Sequence, residues 1–183
     1  MYRVVIFIGC LTAFILQTAS ISGQAWLQVE YRNFVVDIGL WRFCCSEIKL
    51  INPDANIEKV THTMCSDIDN LSHMIKAVQT FMVIAIFSSA IATCLAGYAI
   101  YSDNCIRMAL IFLTVSMIFC LTAMLVFTVN HEQHSKSVDE SPTLKTLIKI
   151  WSKYGWCFAF GWLTIMDMSF TICCGGLANC TDK

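Results

Sequence analysis

The sequence predicts a mainly α membrane protein: a bundle of four transmembrane helices with a small extracellular antiparallel β-sheet formed largely by the first loop. Two observations predict this fold class. Apolar residues make up 57% of the 183 residues and charged residues only 14%, whereas a soluble domain carries about 25% charged residues. The apolar residues are also gathered into four long stretches. A soluble domain of this size leaves roughly 30% of the unfolded chain's surface exposed to water, which is too much for a chain this apolar. We therefore predict that the helices lie in a lipid bilayer.

Composition also excludes several classes of protein. The low charge and high apolar content exclude a disordered chain. A net charge of −1 leaves no basic excess to neutralise phosphates, so we expect no nucleic-acid partner. The sequence contains no Ser-His-Asp order, Gly-rich phosphate loop or helical His pair. We therefore expect no enzymatic activity, no cofactor and no metal site.

The four apolar stretches define the helices. A helix needs about 20 apolar residues to cross the hydrocarbon, and residues 4–22, 77–101, 108–129 and 155–175 meet this requirement. Pro53 and Pro142 both lie outside these stretches, as uninterrupted helices require. The first stretch could also be a secretory signal peptide, because Arg3 precedes its apolar core and small residues follow it. The resemblance described below favours a retained helix.

Four spans place both ends of residues 1–183 on one side of the membrane, as a single four-span domain. The segments on that side are residues 1–3, the loop 102–107 and the tail 177–183, and they carry Arg3, Arg107 and Lys183. Positive charge in short segments indicates a cytoplasmic face. Loops 23–76 and 130–154 are then extracellular. The first of them holds three cysteines, in agreement with an oxidising compartment.

The first loop has the pattern of a small sheet. Residues 25–31, 34–38, 39–50 and 57–65 are β-prone, with a turn predicted at residues 52–54. Helical spacing resumes over residues 67–76 and continues into the second span. A sheet of this size is marginally stable alone and needs a disulfide or the helix ends beneath it.

Several motifs give this chain a family resemblance. Gly39-Leu40-Trp41 is followed by Cys44, which gives the pattern GLW-x-x-C, with Trp26 upstream and Cys65 downstream. This element resembles the first-loop signature of the claudin and peripheral-myelin-protein superfamily. Weaker matches are Cys65 with Asp69 four residues later, Ser102-Asp-Asn-Cys105, Tyr154-Gly155, Gly161-Trp162 and Cys173-Cys174. Two departures stand out: Gln79 replaces the basic residue usual at the start of the second helix, and the chain ends without the Tyr-Val terminus that binds PDZ scaffolds. We therefore expect no PDZ ligand at the C-terminus.

The resemblance implies a disulfide between Cys44 and Cys65. It also implies that Trp26 and Trp41 anchor the loop at the membrane surface and support the sheet. Cys45 is then left over: a buried free thiol is favoured over a bond to Cys157 or to another chain. A zinc site formed by the three loop cysteines and His62 has suitable ligand types but is the weaker interpretation.

Asp167 is the charged residue well inside a span, and such a residue is a functional candidate by default. One interpretation is a protonated Asp167 that is hydrogen-bonded inside the bundle, to hydroxyls such as Ser88, Ser89, Thr114 or Ser116. The alternative is a contact to a partner subunit's helix. Ser89, Thr93 and Gly97 recur every four residues on the second helix and predict close helix packing.

Modification sites are predicted at the membrane boundaries. Four cysteines lie beside the predicted cytoplasmic boundary: Cys105, Cys173, Cys174 and Cys180. They are candidates for palmitoylation, and the alternative is that they serve only as small apolar residues. Asn70 begins a glycosylation sequon.

The resemblance implies a protein of the plasma membrane at cell–cell junctions. Copies would associate in cis and in trans to form adhesive strands, a paracellular barrier or a charge-selective pore. Residues 23–73 carry seven acidic and four basic residues, and Glu47 and Asp67 are the possible pore charges; a solvated acidic surface is the simpler interpretation. The alternatives are an auxiliary subunit of an ion channel or receptor and a myelin-protein-like membrane organiser.

Overall fold

A computed structural model describes residues 2–31, 34–48, 61–67, 73–101, 105–137 and 152–181 of the chain. Within these residues four helices are long and apolar enough to cross a membrane. They are α1 (Tyr2–Ser22), α2 (His73–Tyr98), α3 (Ile106–Ser137) and α4 (Trp156–Thr181). Each helix packs against its neighbours in the ring order α1, α2, α3, α4, so that the first and last helices are adjacent.

Two helices extend beyond the predicted spans. Helix α3 continues to Ser137, so the first eight residues of the predicted second loop, 130–137, are helical beyond the span that ends at Val129. Neither Pro nor Gly interrupts these residues, which explains why the helix continues past the apolar stretch. Helix α4 continues to Thr181, through two glycines and most of the predicted tail.

The described strands form one antiparallel five-stranded sheet at the end of the bundle opposite the chain termini. Its strands are β1 (Leu27–Tyr31), β2 (Phe34–Ile38), β3 (Arg42–Ile48), β4 (Thr61–Asp67) and β5 (Ser152–Tyr154), in the order β4-β3-β2-β1-β5. Four of the five strands come from the first loop, as predicted, whereas β5 precedes α4 and was not predicted. The predicted turn at residues 52–54 and the start of the fourth predicted strand lie outside the described residues.

The buried side chains form two clusters at different depths in the bundle. The cluster beneath the sheet contains large residues such as Trp26, Met124, Phe127 and Phe158. The cluster near the chain termini is built mainly from small residues, including Cys10, Ala13, Ala92, Ala96 and Ala109. Small side chains allow the helices to approach closely in lipid, where the hydrophobic effect does not drive helices together.

The predicted stripe of small residues on α2 packs within the bundle, against α1. The Ser89 hydroxyl donates a hydrogen bond to Gln17 Oε1 at 2.8 Å, and the Thr93 hydroxyl lies 3.1 Å from the Cys10 carbonyl. Gly97 faces the ring of Phe7. This stripe therefore fixes the contact between the first two helices.

Candidate functional site

The base of the sheet is held by two tryptophans that cap α1. The last carbonyls of a helix have no intrahelical donor and need other partners. Trp26 Nε1 donates to the Ser20 carbonyl at 2.8 Å, and Trp41 Nε1 donates to the Ile21 carbonyl at 3.1 Å. Both indoles thus bind successive carbonyls in the final turn of α1. This contact explains how the tryptophans of the sequence motif join the sheet to the first helix.

The two tryptophans differ in burial. Trp26 is fully buried and packs edge-to-face on Phe127 and Phe158, with ring centroids 4.9 and 6.2 Å away. Trp41 is 44% exposed at the rim of the sheet. An indole with one exposed side and one bonded N–H suits a membrane–water interface.

Two glycines allow backbone segments to meet beneath the sheet. A Cβ at Gly39 would lie 2.9 Å from the Cα of Gln24, and a Cβ at Gly155 would lie 2.0 Å from the Ala25 carbonyl oxygen. The Gly155 amide donates to the Trp26 carbonyl at 3.0 Å, and the Cys157 amide donates to the Ala25 carbonyl at 3.2 Å. Hydrogen bonds therefore connect the chain just after α1 directly to the start of α4.

Gln79 supports the same region from the second helix. Its Nε2 donates to the Leu40 carbonyl at 2.6 Å, in the middle of the Gly39-Leu40-Trp41 turn. Leu40 itself is fully buried. The amide at this position therefore fixes the turn to α2 through a neutral hydrogen bond.

The predicted disulfide is confirmed: Cys44 in β3 is bonded to Cys65 in β4, where the two residues face each other in the strand register. Cys45 and Cys157 are both free thiols, Cys45 half-buried and Cys157 buried. The weaker zinc interpretation is wrong, because two of its ligands are consumed by the disulfide. The described residues contain no group of His, Cys, Asp or Glu suited to a metal ion.

One face of the β3–β4 pair points away from the bundle. Side chains alternate between the two faces of a strand, and paired residues share a face. Cys44 is 2% exposed, so its face packs inward at β3, whereas the paired Cys65 and its two neighbours in β4 are all exposed. Phe43 and Met64 lie on the opposite face and are 38% and 81% exposed. These two exposed apolar side chains define what we call the outer sheet face.

A partly buried carboxyl lies in the middle strands. Asp37 stands opposite Gln28 in β1 and Cys44 in β3. Its Oδ1 is buried without a hydrogen-bond partner among the described residues. Burial raises the pKa of the Asp37 carboxyl above its usual value, and a hydrogen bond from the Gln28 side chain acts in the opposite direction.

Asp167 lies in a groove between α1 and α4, on the outside of the bundle. The Thr12 hydroxyl donates to Asp167 Oδ2 at 2.8 Å. The prediction that the partner hydroxyls come from α2 or α3 is wrong. Ser89 and Ser116 donate instead to Gln17 and to the Ala85 carbonyl. The sequence does not give the rotation of each helix about its axis, and that rotation turns Asp167 toward α1.

One polar residue of the core, Gln17, was not predicted from the sequence. Gln17 is fully buried in α1, its Oε1 accepts from Ser89, and its Nε2 has no hydrogen-bond partner among the described residues. The only signal available was a lone amide within the first apolar stretch. An amide in that position forms a polar link between α1 and α2.

The remaining predicted residues are distributed as follows. Gly161 allows α4 to approach Met124 of α3, and Trp162 packs against the cluster beneath the sheet. Asp69 and Asn70 lie outside the described residues. Glu47 stands opposite His62 in the strand register and Asp67 opposite Arg42.

The structure also places the predicted palmitoylation sites. Cys105 and Cys174 are half-buried and Cys173 is exposed, all at the end of the bundle that carries the chain termini. The side chain of Cys180 lies outside the described part of the chain. Acylation of these cysteines stays a prediction.

These features define a class of protein: a four-span membrane protein whose first loop folds into a disulfide-linked sheet over the bundle. The sequence model of the PMP-22/EMP/MP20/Claudin family matches residues 2–178. The chain therefore belongs to that family. No curated protein matches the chain closely enough to indicate a nearer relative.

Proposed function

We propose that this protein acts at cell–cell contacts of the plasma membrane, with its sheet extracellular and both ends of the chain cytoplasmic. Copies would associate side by side in one membrane and head-on between two membranes. Such assemblies form adhesive strands, a paracellular barrier or a charge-selective pore. The observation that carries the proposal is the outer sheet face, an exposed apolar surface on a rigidly held sheet.

The sheet is fixed to the bundle at several independent points. The indoles of Trp26 and Trp41 bind α1, Gln79 binds the turn from α2, and Gly155 connects the sheet to α4. A surface held in this way loses little conformational entropy when it binds a partner. Rigid support therefore favours a role of the sheet in recognition.

The outer sheet face has the composition of a protein interface. Phe43 and Met64 are 38% and 81% exposed, although each would be more stable out of water. Contiguous exposed apolar surface marks interaction sites in folded proteins. Aromatic residues and methionine are also enriched at interfaces, which supports the same conclusion.

The test is a mixed culture of expressing and non-expressing cells, with the protein tagged at its cytoplasmic tail. We expect enrichment only where two expressing cells touch. Met64→Glu should reduce that enrichment without changing delivery to the surface, because it places a charge on the outer sheet face. Tyr101→Glu is the matched control, since Tyr101 is 90% exposed at the opposite end of the bundle. An even distribution of the unaltered protein would refute the junctional proposal.

Ion selectivity is tested separately, by dilution potentials across epithelial monolayers that express the protein. In the strand register Asp67 stands opposite Arg42, whereas Glu47 stands opposite a histidine. Of these two acidic residues, only Asp67 therefore has an arginine in register. We expect Glu47→Gln to reduce cation preference more than Asp67→Asn does. Equal dilution potentials for all three proteins would argue against a pore and leave a barrier.

An auxiliary subunit of an ion channel or receptor is the second candidate. It is favoured by the Asp167 carboxylate, which lies on the lipid-facing side of the bundle rather than inside it. The same carboxylate is also compatible with a myelin-protein-like role in membrane organisation. Even surface distribution in the mixed culture, together with co-purification of a channel or receptor subunit, would favour the auxiliary role.

A further inference from the structure

The groove between α1 and α4 places a carboxyl group midway along two membrane-spanning helices. Thr12 is the middle residue of the span Tyr2–Ser22, and Asp167 is the middle residue of the span Trp156–Ala178. Their side chains meet at this depth, with Thr12 Oγ1 2.8 Å from Asp167 Oδ2. A carboxylate at the bilayer centre costs several kcal/mol unless it is protonated or paired, so the contacts of Asp167 bear directly on its role.

The described residues offer the Asp167 side chain few hydrogen bonds and no basic partner at its depth. Thr12 Oγ1 also lies 3.0 Å from the Gly9 carbonyl, and one hydroxyl can donate only one hydrogen to these two acceptors. No other hydrogen bond to Asp167 is found within the described residues. The basic residues of the four spans, Arg3, Lys76 and Arg107, all lie at span ends. Arg3 is nine residues from Thr12 along α1, which corresponds to about 13 Å.

The groove is open and apolar. It has a volume of about 250 Å³ and runs from Asp167 and Thr12 toward the end of the bundle that carries the chain termini. Its outer walls are formed by exposed side chains, Val5, Ile8 and Phe170, which are 49%, 53% and 66% exposed. Its floor includes Gly9, where the side chain of Thr171 occupies the space that a Cβ would fill.

The size of the groove limits its occupant. Pockets that hold drug-sized molecules measure about 300–1,000 Å³, so this groove is too small to bury most of a sterol or similar ligand. It is suited to a single long side chain that enters from a neighbouring helix. An apolar wall with a carboxylate at its inner end matches a side chain with an apolar stem and a cationic head.

We propose that the Asp167 groove binds a transmembrane helix of a partner protein that carries a Lys or Arg side chain at the centre of the membrane. The basic head would pair with Asp167, and the partner helix would pack on Val5, Ile8 and Phe170. A second copy of this chain does not fit, because its described spans carry basic residues only at their ends. The inference does not depend on the junctional role and concerns a different surface.

The test uses the full chain in phosphatidylcholine vesicles and measures energy transfer to synthetic transmembrane helices. One polyleucine helix carries a central Lys, a second carries only Leu, and a third carries Lys two turns from the centre. We expect the central-Lys helix to bind about 3- to 30-fold more tightly than the others, the range expected for one interhelical polar contact. Asp167→Asn should abolish that preference.

A variant with a relocated carboxylate distinguishes binding in the groove from attraction to any negative charge at the same depth. Met166 is the neighbouring residue on α4 and is 68% exposed to lipid. The double variant Met166→Asp/Asp167→Asn keeps one carboxylate at nearly the same depth but moves it out of the groove. We expect this variant to bind the central-Lys helix no more tightly than Asp167→Asn does.

Three results would overturn the proposal: equal binding of the Leu and central-Lys helices, unchanged preference in Asp167→Asn, or full recovery with the relocated carboxylate. Circular dichroism of each variant checks that the bundle is folded. None of these measurements depends on cell contacts, so failure here is distinct from failure of the junctional proposal.

Discussion

The disulfide between β3 and β4 is predicted to control the local stability of the edge of the sheet. Strand β4 is an edge strand of the described sheet and is paired on one side by β3. The bond joins residues separated by 21 positions. In the chain-entropy account, closing a loop of this size contributes about 3 kcal/mol against opening. Removing the bond should therefore raise the open population of β4 roughly 100-fold, since each 1.4 kcal/mol is a factor of ten.

Hydrogen exchange of the purified protein in detergent measures this opening directly. The double variant Cys44→Ser/Cys65→Ser should lose protection in β3 and β4, while α1 to α4 keep theirs. Both cysteines are changed so that neither Cys44 nor Cys65 is left as a free thiol that could pair with Cys45. Cys45→Ser is the matched control, because it alters the adjacent residue and leaves the disulfide intact.

Two outcomes would contradict this reasoning. Unchanged protection of β4 in the double variant would mean that the strand ladder alone holds the edge. Loss of protection that spreads evenly through the helices would mean that the disulfide stabilises the whole fold and not its edge. The Cys45→Ser protein should match the unaltered protein in either case.

Three further changes test the support of the sheet. Trp26→Phe keeps an aromatic ring but leaves a carbonyl of α1 without its donor, so we expect a loss of about 1–3 kcal/mol in the free energy of unfolding, measured by denaturation in mild detergent. Gly155→Ala should lower the melting temperature, because its Cβ would lie 2.0 Å from the Ala25 carbonyl oxygen, whereas Gly176→Ala meets nothing within 4 Å and should not. The raised pKa of Asp37 means that the folded state binds its proton more tightly, so its contribution to stability is present at acidic pH and is lost as pH rises from the usual value through the raised one. Asp37→Asn should remove that part of the pH dependence of the melting temperature, and an unchanged pH profile would show that the carboxyl is not the cause.

The helices and most of the sheet could be predicted because both depend on patterns along the chain. Apolar stretches long enough to span the bilayer predict helices without reference to their neighbours. Alternating β-prone segments likewise predict β1 to β4. Strand β5 has only three residues, and such a short segment carries no periodic signal. It becomes a strand because β1 lies beside it.

The candidate site was predicted in part. The family motif identified Cys44, Cys65 and Trp26, whose roles depend on residue type. The partner of Asp167 depends on how α1 and α4 are rotated about their axes, which residue type and spacing do not give. Thr12 lies on the lipid-facing side of α1, and only that rotation brings it to Asp167. The same reason explains why Gln17 was missed, since its burial is a property of the assembled bundle.

The pairing of β1 with β5 has a consequence for biosynthesis. Leu27 pairs with Tyr154, which is made 127 residues later, so β1 remains an open edge until the last helix begins to emerge. Unpaired strand edges expose donors and acceptors to other chains. A ribosome-bound chain with three helices inserted therefore exposes the β1 edge at Leu27, Gln28 and Val29, which β5 pairs in the finished protein. The fourth segment therefore completes the sheet and the helix ring together, and a chain arrested before that point keeps both an unpaired strand edge and an open bundle, the features that make folding intermediates prone to aggregate.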